Sequence, residues 1–320
     1  MDKVTNIWYA KNIILLVKKG TDTFKWKVSL STYKNNEIQI DIEWIDDKRN
    51  NILFDSNVEI ITIFNFTNIN QDFLGLLLLI YWIKKYSPKS INLVLPYFPY
   101  TSKDMIGKAK TNNILHISTD NWLLTLLQNS WISTIKTFDL WNLYVQNYSS
   151  IYIENITKDK IFVDEFSYFM RATKKLSIIV MNQDDYILFK HLLWHKENIH
   201  IIYIDEDISI KSKRDQLNIL NSISDANKST IYIFEKSLIR WNKLYWLLNI
   251  LWNNLDIKEL NLCVTHGIFA QGSYRKFNTI LEKFPYINIV TTNSLLWYTK
   301  KITESRTKII KLPLLPQKGE

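Results

Sequence analysis

The sequence is poor in the residues that staple, bend or span. Cysteine occurs once in 320 residues, at Cys263, which excludes a disulfide framework and a multi-cysteine zinc site and makes a reducing compartment the default. Glycine and proline occur six times each. Long apolar runs are missing too. The longest, Leu74 to Ile83 ("LGLLLLIYWI"), is bounded by Asp72 and Lys84; it is too short for a bilayer and reads as a buried helix. The amino terminus, "MDKVTNIWYAKN", lacks the basic-then-apolar order of a signal peptide. No block of five or six like charges occurs, and neither a G-x-G-x-x-G nor a Walker A match is present.

What is present is an ordinary globular composition, 47% hydrophobic and 22% charged, in a chain long enough for two domains with their own cores. The formal net charge is +9, which permits nucleic acid or another anionic partner. Abundant Asn, Ile, Lys, Tyr and Phe with little Ala and Gly also match an AT-rich genome, which raises Lys without any binding role, so nucleic acid is not the favoured partner. The 12 Trp fit a code that reads UGA as Trp.

Short apolar runs alternate with helical patterns. Strands are expected over Val58 to Asn65, Ser90 to Pro96, Ile132 to Asp139, Leu176 to Met181, Ile199 to Asp205, Thr230 to Glu235, Leu260 to Thr265 and Ile287 to Thr292. Most are rich in Ile and Val with little alternation, as in parallel strands covered on both faces. Helices are expected over Phe73 to Tyr86, Thr119 to Ser130, Tyr186 to Lys196, Arg240 to Leu255 and Ser273 to Phe284. This alternation predicts an α/β fold with two domains, 1–150 and 151–320, each with a central mainly parallel sheet flanked by helices. The polar stretch Gln146 to Lys160 is the expected boundary.

In open α/β sheets ligands sit beyond the carboxyl ends of the strands. One such exit is "LPYFPYTSKDM", Leu95 to Met105, which places two prolines and three aromatics in a few residues. Pro96 ends strand pairing, Pro99 stiffens the loop, and the rings offer flat surface to a base or a partner. This segment resembles the LPYFPYARQDR segment of the ribose-phosphate pyrophosphokinases (PRPP synthetases). "VTHGIFAQGS" (Val264 to Ser273), "VTTNSL" (Val290 to Leu295), "FDLWN" (Phe138 to Asn142) and "TYKNNE" (Thr32 to Glu37) resemble further segments of that family, in order, from about residue 30 to 295. The resemblance implies two phosphoribosyltransferase-like domains. It implies ATP and Mg2+ as ligands, diphosphoryl transfer to ribose 5-phosphate, and assembly into dimers and hexamers.

The family's chemistry needs two acids and a Thr-Gly-Gly-Thr turn whose backbone amides approach phosphate. Here "STIYIFEKSLIRWNKL" reaches that place with Glu235 alone, bulky Leu238, Ile239 and Trp241 in the turn, and no glycine before Gly267. The family's DLH histidine is Trp141, and its Arg and Gln after the aromatic exit are Ser102 and Lys103, while Asp104 is kept. Asp and Gly of F-x-D-G-E become Asn35 and Asn36, with Glu37 kept. The loop that should carry Lys and Arg reads "DEDISI" after "IHIIYI", acids where cations should stabilise phosphoryl oxygens. The family's Gly pair after VSPD is replaced in "VMNQDDY".

No catalytic and no metal-binding residue is therefore assigned. Glu37, Phe98 and Asp104 are the candidates for residual ATP contacts. His191 and His195 share a helix face at i, i+4 if the helix runs to Lys196, but no third ligand follows, and a packed or exposed pair is the simpler account. Asp184 and Asp185 read as a helix start, and Asp205, Glu206 and Asp207 as a solvated loop. His266 and Gly267 are kept and are expected to shape a strand exit. The expectation is a subunit with little or no activity, in a homo- or hetero-oligomer, with an active PRPP synthetase paralogue as the candidate partner. The alternatives are a divergent but active ribose-phosphate pyrophosphokinase and a basic structural or nucleic-acid-binding subunit of a larger complex. The expected location is cytoplasmic, or the organelle matrix if the chain is organelle-encoded.

Overall fold

A computed structural model describes residues 13–33, 37–43, 53–64, 69–100, 119–141, 143–204, 219–237, 241–267, 281–294 and 307–312. They fall into two compact units, the first running to Thr157 and the second beginning at Lys158.

The first unit holds β1 (Ile13–Lys19), β2 (Asp22–Thr32), β3 (Ile38–Glu43), β4 (Asn57–Thr62), α1 (Ile69–Lys84), β5 (Ser90–Leu95), α2 (Thr119–Asn129), β6 (Thr134–Phe138), α3 (Tyr144–Tyr148) and β7 (Tyr152–Ile156). Its sheet order is β3-β2-β1-β4-β5-β6-β7. The strands β4 to β7 run parallel, whereas β1 pairs antiparallel with both β2 and β4, and β2 with β3. The run β4 to β7 is parallel as expected; the antiparallel meander β1 to β3, which had no counterpart among the expected strands, makes the whole sheet mixed. Gly20 at φ +61 makes the tight β1–β2 turn, with nothing within 4 Å of where a Cβ would stand, so conformation rather than space demands glycine. Gly75 is the opposite case: its Cβ would lie 2.6 Å from Leu30 Cδ1, so α1 sits close on β2 only because the side chain is missing. Phe73, Leu76, Leu79, Ile80 and Ile83 form the buried stripe of α1 at helical spacing.

The second unit holds α4 (Lys158–Ile161), α5 (Val163–Arg171), β8 (Leu176–Val180), α6 (Gln183–Leu192), β9 (Ile199–Tyr203), β10 (Thr230–Ser237), α7 (Trp241–Asn254), β11 (Glu259–His266), β12 (Ile287–Thr292) and β13 (Thr307–Ile310). Its sheet, ordered β13-β12-β11-β10-β8-β9, is parallel throughout. Phe234 of β10 is the hub of the core, with ring centroids of Phe189 at 4.7 Å, Phe162 at 5.5 Å, Phe166 at 6.1 Å and Phe169 at 6.2 Å. The edge strand β13 is tied down by Lys308, whose ammonium lies 3.0 Å from Glu165 Oε1 and 3.1 Å from Asp164 Oδ2 of α5.

The stretch Gln146 to Lys160, read as a boundary, holds α3, β7 and the start of α4, so the first sheet gains a strand beyond residue 150. The expected helix over Ser273 to Phe284 lies mostly outside the described residues. No helix among the described residues is long and apolar enough to cross a membrane.

Candidate functional site

The strand exits of each unit carry the candidate chemistry. In the first unit, β5 delivers Pro96 to Tyr100 into a bend at the carboxyl end of the sheet. The aromatics expected to offer a surface mostly turn inward: Tyr97 is 7% and Phe98 2% exposed. Burial, with a contribution from Tyr100, pushes the Tyr97 phenol up to about 12. Tyr100 adopts φ +62, a left-handed conformation uncommon for a non-glycine residue. Its hydroxyl donates to Asn70 Oδ1 and its ring meets Phe73 edge-on at 6.3 Å. Burial raises the Tyr100 phenol as well.

Asn70 belongs to an open groove of about 590 Å³ lined by Glu37, Ile38, Asn70, Gln71, Leu74 and Leu78, between the head of β3 and the first turns of α1. Glu37 is exposed there, and its carbonyl accepts from the Tyr33 N–H at 2.9 Å, closing the β2–β3 connection. The aromatic exit therefore reaches the groove of Glu37 through Tyr100 and Asn70, not through Phe98. The expected helix began at Phe73, one turn too late to place Asn70 on it. Asp104, Ser102, Lys103, Asn35 and Asn36 lie outside the described residues.

Beyond β6 the chain turns at Asp139, which is 4% exposed at φ +50. The Asp139 N–H donates to Ile156 O at 2.8 Å and the Leu140 N–H to Asn155 Oδ1 at 2.9 Å, so β7 holds this turn. Trp141 follows, 7% exposed, with a buried indole N–H that has no hydrogen-bond partner among the described residues. It packs as a core residue.

In the second unit, β10 stays in register with β11 as far as Ser237 opposite His266, and α7 begins at Trp241. Strand and helix are joined by residues 238–240 alone, which lie outside the described residues. Glu235 is half-buried, and its Oε1 accepts from the Lys236 N–H at 3.0 Å; Lys236 and Ser237 are each 3% exposed. At the exit of β8, Asn182 caps α6 by accepting from the Asp184 N–H at 2.8 Å. Asp185 is buried against Lys158, Nζ to Oδ2 2.8 Å, with side-chain exposures of 6% and 0%. Asp184 and Asp185 thus do open a helix, but Asp185 also neutralises a fully buried cation that sequence gave no reason to pair with it. At the β11 exit Thr292 Oγ1 donates to Thr265 O at 2.6 Å, and His266 is 1% exposed.

The histidine pair does not form one helix face. The helix α6 ends at Leu192, and His195 stands in the following turn with its ring edge-on to Trp194 at 5.9 Å. Among the described residues no three His, Cys, Asp or Glu side chains gather as metal ligands. Asp205, Glu206 and Asp207 lie outside the described residues. Cys263 is fully buried, and its thiol is pushed well up by burial and by Glu165, against an opposing effect of Lys308, so it is unreactive.

The described residues at these second-unit exits do not by themselves fit a magnesium–triphosphate group. Magnesium takes oxygen ligands in near-octahedral geometry. Of the three carboxylates named there, Asp185 already balances Lys158, one oxygen of Glu235 is held by its own strand, and Asp184 stands in the first turn of α6.

Comparison with known proteins gives one consistent result. Residues 10–117 match the family model described as the N-terminal domain of ribose phosphate pyrophosphokinase. The chain is 24% identical over 294 residues to the ribose-phosphate pyrophosphokinase of Bacillus caldolyticus, covering 91% of this chain and 84% of that one. It is 24% identical over 247 residues to that of Mycoplasmopsis pulmonis, covering 76% and 71%. The phosphoribosylpyrophosphate synthetase from Mycobacterium smegmatis shares its fold, with a TM-score of 0.67 at 13% identity over 89% of this chain and 85% of that one.

Proposed function

We propose, from the premise that this chain is a divergent member of the ribose-phosphate pyrophosphokinase family, that it is a subunit without a working substrate centre of its own. It retains the fold for assembly and acts as a structural or regulatory partner of a catalytic relative in the cytoplasm, or in an organelle matrix if organelle-encoded. One observation carries this proposal. Where phosphate would need a glycine turn of backbone amides, β10 stays paired to Ser237 and only three residues, 238–240, separate it from α7 at Trp241. No glycine stands anywhere between Gly107 and Gly267. A glycine turn brings backbone amides close to phosphate because it carries no Cβ, and this sequence has no glycine to build one there.

The test is AMP release from ATP, ribose 5-phosphate and Mg2+, with the chain alone and with an intact homologue added. The chain alone is expected to show no turnover; losing one oxyanion-type donor costs about 10²–10³ in rate, and several are missing together. Steady turnover of about 1 per second or faster by the chain alone, an ordinary enzyme rate, would sink the proposal.

The second reading, a divergent active enzyme, is favoured by the groove of Glu37 with Asn70 and Gln71, where polar groups and the apolar Leu74 and Leu78 suit a nucleotide. ATP titration of Glu37→Ala against the parent chain separates the two: binding lost in the variant supports nucleotide retention, and no binding by either chain supports the proposal.

A further inference from the structure

The end of the first unit opposite the aromatic exit collects features that neither the fold nor the family reading uses. The last turn of α1 carries Lys84, Lys85 follows it directly, and Lys89 precedes β5. Lys84 Nζ lies 4.2 Å from the centre of the Trp131 ring, just beyond α2, and Lys85 Nζ lies 4.9 Å from the Tyr81 ring. Backbone bonds seat the 53–56 turn on the same end: the Asp55 N–H donates to Ser87 O at 3.2 Å and the Lys89 N–H to Ser56 O at 2.8 Å. This turn brings Phe54 alongside. Trp131, Tyr81 and Phe54 are 69%, 63% and 61% exposed. Across residues 53–56, 81–90 and 130–133 three lysines face one carboxylate, Asp55.

Lysines in a last helical turn complement the helix dipole. That accounts for Lys84, and for Lys85 just past the helix end, but not for Lys89, nor for three large rings left in water beside them. Exposed aromatics interleaved with cations are what a single-stranded nucleic acid uses, its bases on the rings and its phosphates on the ammonium groups. An acidic peptide would need the cations but not the rings, and a duplex hides its base faces. We infer that this surface, Tyr81, Trp131 and Phe54 with Lys84, Lys85 and Lys89, binds single-stranded nucleic acid. The net charge of +9 adds long-range attraction for such a polyanion.

Fluorescence anisotropy of the full chain with a labelled single-stranded oligouridine tests this. Binding is expected to be saturable and to weaken steeply with salt. The triple variant Lys84→Gln/Lys85→Gln/Lys89→Gln is expected to flatten the log–log salt slope by about two, since each neutralised phosphate contributes about 0.7 for single strands. Trp131→Ala is expected to lower affinity about tenfold or more, the scale of one lost base stack, and Trp131→Phe to restore most of it. All variants should melt like the parent, because the rings are exposed. A control triple, Lys174→Gln/Lys175→Gln/Lys258→Gln in the second unit, should leave the slope in place. Four results would overturn the inference: no saturable binding at low salt, an unchanged affinity in Trp131→Ala, equal loss in the control triple, or competition by polyglutamate as strong as by unlabelled oligouridine.

Discussion

Phe98 sits at the residue where assembly, nucleotide contact and core packing make different demands on one ring. At 2% exposure in its own unit it answers to packing first. Phe98→Ala should cost about 3–5 kcal/mol in denaturant melts, the range for a buried aromatic, and leave ATP titration unaltered. A variant that melts like the parent would contradict this. Its neighbour Tyr97 gives a pH signature. The phenol rises from the ordinary 10 to about 12 because burial disfavours the charged form. The folded pKa lies above the unfolded one, so this contribution is complete below pH 10 and is lost as pH rises through 12, about 2–3 kcal/mol in all. Tyr97→Phe should therefore lose less stability than the parent between pH 10 and pH 12 in urea titrations. Lys158 and Asp185 supply a third test. Lys158→Met strands a buried carboxylate and should cost about 3–5 kcal/mol, whereas Lys158→Met/Asp185→Leu should recover most of it. A double variant as unstable as the single would show that the pair is not the source of the loss.

Elements buried on both faces were the most legible ones. The strands β5, β8, β10, β11 and β12 are short, mostly apolar stretches with little strict alternation, and that character is a signal in the sequence itself. Strands that bury one face were passed over. In β2, Trp26, Val28 and Leu30 point inward at period two with Lys and Ser between them, which dilutes any search for runs. The short β13 owes its place to Lys308 and the acids of α5, partners more than 140 positions away (143 and 144). The helix α5 lies just past the stretch read as a boundary and was not among the expected helices, so Phe166 and Phe169, which meet Phe234, were not counted as core. The candidate site divides the same way. Missing glycines can be read directly from the sequence; the Lys158–Asp185 and Tyr100–Asn70 pairings join residues 27 and 30 positions apart and have no local signature. Phe234 links α5, with Phe162 at its start, and α6 to the sheet, and Phe234→Ala should cost about 3–5 kcal/mol and loosen those helices first, read as early amide exchange in 162–192.

At the scale of the whole molecule, two cores imply two cooperative melts. Calorimetry should resolve transitions that respond separately, one lowered by Phe98→Ala and the other by Phe234→Ala; a single transition moved equally by both would deny independent units. The Lys158–Asp185 pair has a further consequence, for the chain's mutational history. With both charges out of water, either residue changed alone passes through a state several kcal/mol less stable, on the order of half the margin of an ordinary domain. Drift can exchange the two only together. The β8 exit is therefore held in its present form by epistasis: glycine at 185 alone would strand the Lys158 cation, and only a simultaneous change at 158 would open that route.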